Sequence, residues 1–268
     1  MISRVQHGLN PKLQHQQAAQ PVFTTANSQT QLSERLTQAQ AMGLKNLLLF
    51  GARQQPEVTY QHDETIHDDM LGKIEVYRFS NGMALHAIQR DDVPLVSYGE
   101  LIKTGSTNET ARTSGASHFL EHLVFKGTEN LKPGATEHIL EGLGAGLNAF
   151  TSHNGTFFYV YDMPKESLGE AIQVWAELLS SPKIPLEELE REPHAVVEEI
   201  NRDLQNPVSR VIQNLQNSVW PNSRSKWPIL GPVANILTRN PKNGQSHHLT
   251  RDQIMRFVRH YYDPSNRA

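Results

Sequence analysis

The chain has 268 residues, 37% hydrophobic and 20% charged, with 25 basic and 28 acidic side chains and a formal net charge of −3. That length supports one sizeable domain or two small ones, and the near balance of charge gives no reason to expect nucleic acid or an anionic membrane as partner. Cysteine is absent, which excludes disulfides and thiolate metal sites, and no run approaches the roughly 18 apolar residues of a membrane span.

Residues 1–72 read as a polar N-terminal extension, partly disordered. The first 33 carry no Asp or Glu and many Gln. This is the composition of a disordered tail, with a loose likeness to a transit peptide that its poverty in Arg weakens. A helix is suggested over 31–50, with Ser33 as cap and Leu36, Met42, Leu44 and Leu47 to Leu49 as apolar positions. Residues 51–72 include His62, Asp63, His67, Asp68 and Asp69. A second metal site is conceivable there, but nothing fixes these side chains, so the stretch reads as a solvated linker. No signal-peptide core is present; the chain reads as soluble, its compartment open, with a cytoplasmic location favoured.

The pattern changes at 73, where a domain running to 268 begins. Ile74 to Phe79 alternates, Ser80-Asn81-Gly82 turns, and Met83 to Ile88 follows, a hairpin signature. Val96 to Thr104 gives a third strand. A helix capped by Thr113 or Ser114 runs through Phe125 and stops at Gly127, and another spans 134–143. Leu147 to Ser152 and Thr156 to Tyr161 form a second hairpin around His153-Asn154-Gly155, where His153 reads as a turn residue. Helices follow over 166–180, 186–205, 207–219 and 250–262, the last capped by Thr250. A meander followed by helices implies an α+β fold, an antiparallel-rich sheet with helices packed on one face.

The helix after the third strand carries His118-Phe119-Leu120-Glu121-His122. Helical spacing of i and i+4 puts both imidazoles on one face, where they can grip one metal ion. Zinc wants neutral imidazoles, a carboxylate and one open position. Glu121 then stands where a general base is needed. Two surface histidines on an ordinary amphipathic helix would look the same locally. A third ligand is available downstream, where Glu192 and Glu199 lie seven residues apart, two turns of one helix face. An acidic surface stripe is the plainer account of that pair.

Taken together, these residues resemble the pitrilysin/insulysin family of inverzincin peptidases, which includes mitochondrial processing peptidases. The resemblance covers roughly 73–268. It rests on the H-x-x-E-H motif, on Lys103-Thr104-Gly105-Ser106, Phe125-Lys126-Gly127-Thr128 and Leu147-Asn148-Ala149-Phe150-Thr151, and on Tyr262-Asp263-Pro264-Ser265-Asn266. It implies one Zn²⁺ per chain held by His118, His122 and Glu199, which lies 77 positions beyond His122. It further implies Glu121 as general base and Glu192 as a carboxylate that orients a ligating histidine. The implied substrate is an unfolded peptide added as a strand along Asn148, Ala149 and Phe150. The family also contains non-catalytic subunits, which typically lose motif residues.

Two departures stand out. Pro193 lies where the family usually continues a helix, so a kink or restart is expected near Glu192. In the family the equivalent of Tyr262 to Asn266 leads into a strand and then a second domain that clamps the substrate. The chain is therefore expected to be truncated at its C-terminus, completed by a missing second domain or a partner subunit.

Overall fold

The computed structural model describes residues 58–90, 92–237 and 249–268, so the tail and the helix expected over 31–50 lie outside the described residues. The chain forms strands β1 (Tyr60–Asp68), β2 (Gly72–Phe79), β3 (Ala84–Ile88) and β4 (Leu95–Ile102), then helices α1 (Ala116–Val124) and α2 (Ala135–Gly142). Strands β5 (Gly146–Thr151) and β6 (Thr156–Pro164) follow, and then helices α3 (Leu168–Ser180), α4 (Leu186–Gln205), α5 (Pro207–Val219), α6 (Val233–Ile236) and α7 (Arg251–Tyr261).

The strands make two antiparallel sheets, β1-β2-β3 and β4-β6-β5. In β6, Thr156, Phe158 and Val160 are buried while Phe157, Tyr159 and Tyr161 face the other way, the alternation of a sheet covered on one face. The covering helices are α1, over β5 and β6, and α2, over β5. Phe119, Leu120, Leu123 and Val124 of α1 join Phe158, Trp175, Leu178 and Val196 in one core. Burying side chains of this size contributes about 1.5–3 kcal/mol each, which is what anchors α1 to the sheet.

Two expectations change, and the C-terminal residues add a pairing. Tyr60 to Asp68, read from sequence as solvated linker, is a strand paired along β2 from Tyr60↔Phe79 to Asp68↔Gly72. It is exposed at every position, so no apolar stripe announced it. Polar cross-strand contacts support it: Arg78 Nε donates to Asp63 at 2.6 Å and Thr65 Oγ1 to Glu75 at 2.7 Å. Pro193 is accommodated inside α4, which continues as helix from Leu186 to Gln205. The missing hydrogen bond is a local loss, and Pro193 itself is buried. The last residues already pair with β4: Leu101 and Ala268 exchange backbone hydrogen bonds of 2.6 and 3.0 Å, and Lys103 N–H donates to Asn266 at 2.9 Å.

That pairing is locked by an ion pair. Arg267 Nη1 lies 3.1 Å from Glu100, with both side chains almost fully buried, and Arg267 Nε donates to Tyr262 O at 2.9 Å. Burial raises the Glu100 pKa, and Arg267 pulls against that rise. Arg267→Met removes the cation and leaves a buried carboxylate, at a cost of about 3–5 kcal/mol. The Glu100 pKa then climbs further. A carboxyl raised in the folded state is destabilising above its folded pKa and harmless below its unfolded one. The stability deficit of Arg267→Met should therefore be largest near neutral pH and shrink on acidification toward 4.5, the ordinary value for such a group. Chemical denaturation of both proteins across that range checks this; a deficit independent of pH contradicts it.

Candidate functional site

The site begins with how α1 is started. No side chain of Thr113 or Ser114 caps the helix; the N-cap is Gly115, at φ 94°. A β-carbon there would sit 2.8 Å from Leu230 O and 3.1 Å from Gly231. Both the left-handed backbone and the close approach of the 228–231 loop therefore demand glycine. The helix's free N–H groups find a carboxylate from outside: Glu109 accepts from Gly115 N and Ser117 N, each at 2.7 Å. Glu109 is buried. Burial raises its pKa, against the backbone donors that favour its charge. A carboxylate six residues upstream is not a standard capping pattern, which is why sequence reading passed over it.

Next, α1 packs against α4. His118 Nε2 and His122 Nε2 each lie 3.5 Å from Glu199 Oε2. Potential ligand atoms of His118, His122 and Glu199 all fall within 4.8 Å of one another. His122 Nδ1 is 2.9 Å from Glu192 Oε1, and Lys126 Nζ is 3.0 Å from Glu192 Oε2. Glu192 thus engages one ring nitrogen of His122 and leaves the other toward Glu199. The Glu121 carboxylate acts on His122 through its charge, and Thr151 Oγ1 of β5 donates to its Oε2 at 2.5 Å.

The charges respond to one another. Burial disfavours a protonated His122, but the Glu192 hydrogen bond and the nearby Glu121 and Glu199 carboxylates outweigh it and raise its pKa. Glu192 is held below its ordinary value: burial pushes up, and His122 and Lys126 together pull down harder. Glu199 is lowered chiefly by His118 beside it.

The donor set fits a metal. Ligand atoms about 2.1 Å from a tetrahedral ion stand about 3.4 Å apart, close to the two 3.5 Å separations found. Two imidazoles and one carboxylate are a catalytic-type zinc set, three protein ligands with a position left over. His118 Nδ1 is buried without a hydrogen-bond partner, so Nε2 is the nitrogen turned to Glu199.

Two clefts meet at this cluster. One of about 640 Å³ is lined by His118, Glu121, Glu199 and Ala149 to Thr151, with α5 and Pro228 to Leu230 opposite. The other, about 360 Å³, is lined by Glu121, His122, Glu192 and Leu147 to Ala149. Glu121 and Ala149 belong to both. The expected substrate residues Asn148, Ala149 and Phe150 therefore lie on an edge strand running past both clefts, since β5 ends the order β4-β6-β5. His153, read from sequence as a turn residue only, also lines the larger cleft.

The family model for insulinase (peptidase family M16) matches residues 86–233. A probable mitochondrial-processing peptidase subunit beta from Schizosaccharomyces pombe is 31% identical over 196 residues, 72% of this chain and 40% of that protein. Cytochrome b-c1 complex subunit 1 from Bos taurus is 31% identical over 118 residues, 44% of this chain and 24% of that one. Among solved structures, a protease from Helicobacter pylori superposes with a TM-score of 0.66 at 27% identity, over 74% of this chain and 45% of that chain. The first half of the periplasmic protease PqqL from Escherichia coli, at 22% identity and a TM-score of 0.65, shares the fold. The chain spans less than half the length of these proteins. The mitochondrial names among them give no support to a cytoplasmic location. No helix among the described residues is long and apolar enough to cross a membrane.

Glu109→Ala should cost about 1–3 kcal/mol, because it strands two donors at the start of α1. Glu109→Gln keeps one acceptor oxygen and should cost less. Urea unfolding of the two variants measures the ordering; equal stability of Glu109→Ala and the parent chain would show that α1 does not need this carboxylate.

Proposed function

The chain belongs to the insulinase family of peptidases, M16, and from that premise we propose that it is a zinc-dependent endopeptidase acting on extended peptides. The observation that carries this reading is the convergence of His118, His122 and Glu199 within 4.8 Å beside a carboxylate, Glu121, that faces the same cleft. His118 and His122 from α1 and Glu199 from α4 would hold the ion. Bound zinc supplies Lewis-acid chemistry, polarising the scissile carbonyl and making water a better nucleophile.

The rest is the work of the chain's own side chains. Glu121 takes the proton of the attacking water and returns it to the leaving amine. Thr151 holds Glu121 Oε2 at 2.5 Å, which fixes the carboxylate relative to β5. Glu192 keeps His122 oriented through Nδ1 at 2.9 Å, the outer carboxylate that a ligating histidine commonly needs. A substrate backbone adds to the edge of β5 through main-chain hydrogen bonds, which give affinity with little demand on sequence. Asn148, Ala149 and Phe150 form that edge.

A partner-dependent or non-catalytic subunit is the second reading. It is favoured by relatives named as subunits, one of them in the cytochrome b-c1 complex. The chain covers 40% of the processing-peptidase subunit it matches, so the complete catalytic unit is proposed to include a further domain or a partner chain. Cleavage of unfolded peptides that appears only when the longer gene product or a partner is added would establish that arrangement.

Zinc analysis after dialysis should find about one ion per chain, and His118→Ala combined with His122→Ala should abolish it; full zinc content in that double variant would refute the ligand assignment. Glu192→Gln should weaken zinc affinity by about 10- to 100-fold. Glu121→Gln should keep zinc yet lower peptide hydrolysis by the complete enzyme at least about 10²-fold. Turnover close to the parent rate would remove Glu121 from the role of base.

A further inference from the structure

Resting on the zinc-peptidase reading, we propose that Lys126 is a positioning residue: its ammonium holds the outer oxygen of Glu192 and so keeps His122 turned toward the metal. Lys126 stands four residues past His122, just beyond the end of α1, and Glu192 of α4 engages both. Each oxygen of that carboxylate has its own partner: Oε1 is 2.9 Å from His122 Nδ1, and Oε2 is 3.0 Å from Lys126 Nζ. The torsion that turns a glutamate carboxyl is soft and roughly two-fold, so a single hydrogen bond leaves its plane free to swing. One partner on each oxygen fixes it. Burial raises the Glu192 pKa, but the bonds to His122 and Lys126 outweigh it, so the group stays ionised and accepts from both.

Lys126 is held more firmly than an ordinary surface lysine. Its side chain is 26% exposed and that of Glu192 10%, so the pair is screened less than one in open water. The backbone around it is tied down. Lys126 N–H donates to Leu123 O at 3.0 Å, Gly127 O accepts from Lys183 N–H at 3.1 Å, and Thr128 N–H donates to Leu131 O at 2.9 Å. Gly127 takes φ 112°, and a β-carbon there would meet Leu131 O at 3.0 Å, so the turn that launches Lys126 calls for glycine. Glu137 lines the same cleft and is the rival for the ammonium. Burial raises its pKa, with Lys126 among the groups that pull against the rise, and a carboxyl so raised competes weakly with the ionised Glu192. Without the ammonium, Oε2 of a nearly buried carboxylate would lose its cation in a cleft it shares with Glu121. Repulsion would then act to turn Glu192 off His122.

The test is a double-mutant cycle on zinc affinity, measured by chelator competition on the full-length protein, with urea unfolding to show that each variant folds. Lys126→Met should weaken zinc binding about tenfold, the scale for losing a group that orients a metal ligand. Lys126→Arg keeps the cation and should hold the loss to about threefold or less. Glutamine offers one acceptor oxygen to two donors, so Glu192→Gln already breaks the bridge. In that background Lys126→Met should cost about a further twofold or less, the mark of a residue that acts through another. Should Lys126→Met fail to fold, Lys126→Gln takes its place in the cycle with the same expectation. Unchanged zinc affinity in the folded Lys126 variant, or an equal loss in both backgrounds, overturns the inference and leaves the peptidase reading standing. So does a rise in peptide KM with zinc affinity untouched, which would place Lys126 on the substrate. A parent protein that binds no zinc overturns both.

Discussion

The contact between Glu192 and His122, 2.9 Å across the α1–α4 interface, is the constraint on which the site depends. A helix turns about 100° per residue. A slip of one residue in either helix would therefore carry Glu199 away from both imidazoles. What prevents the slip is packing: Val196 and Ile200 of α4 and Phe119, Leu120 and Leu123 of α1 are buried in one core, and such interiors tolerate little displacement. Glu192 and Glu199, seven residues apart, then point the same way, one bracing a histidine and the other completing a group of three donors.

The same arrangement concentrates charge. Glu121, Glu192 and Glu199 converge on two imidazoles, with Lys126 as the cation at 3.0 Å from Glu192. Carboxylates so placed repel one another, and the raised pKa of His122 is the local response: the cluster favours added positive charge. A divalent cation supplies that charge without a proton and leaves both imidazoles neutral, as ligands must be. The electrostatics of the protein side chains and the donor geometry thus ask for the same occupant.

Much of this was legible in the sequence because two periodicities carried it. The spacing of His118 and His122 and of Glu192 and Glu199 translates directly into shared helix faces, and α4 and α5 appear over the residues expected for them. Three features were not legible, each for a physical reason. β1 is exposed on both faces, so it has no alternation to read. Glu109 caps α1 through a loop fold, not a sequence-local box. His153 acquires its place in the cleft from Ser106 and Gln216, both distant in sequence. Pro193 misled in the other direction: it suggested a restart, and the helix runs on from Leu186 to Gln205.

The central claim is that zinc sits between α1 and α4 on His118, His122 and Glu199. X-ray absorption at the zinc edge of the reconstituted protein tests it most directly. The account predicts a first shell of light atoms near 2.0–2.1 Å with multiple scattering from two imidazoles. Glu199→Ala should lose one oxygen from that shell while both imidazoles remain. A shell with one imidazole or none, or a spectrum unchanged by Glu199→Ala, would contradict it.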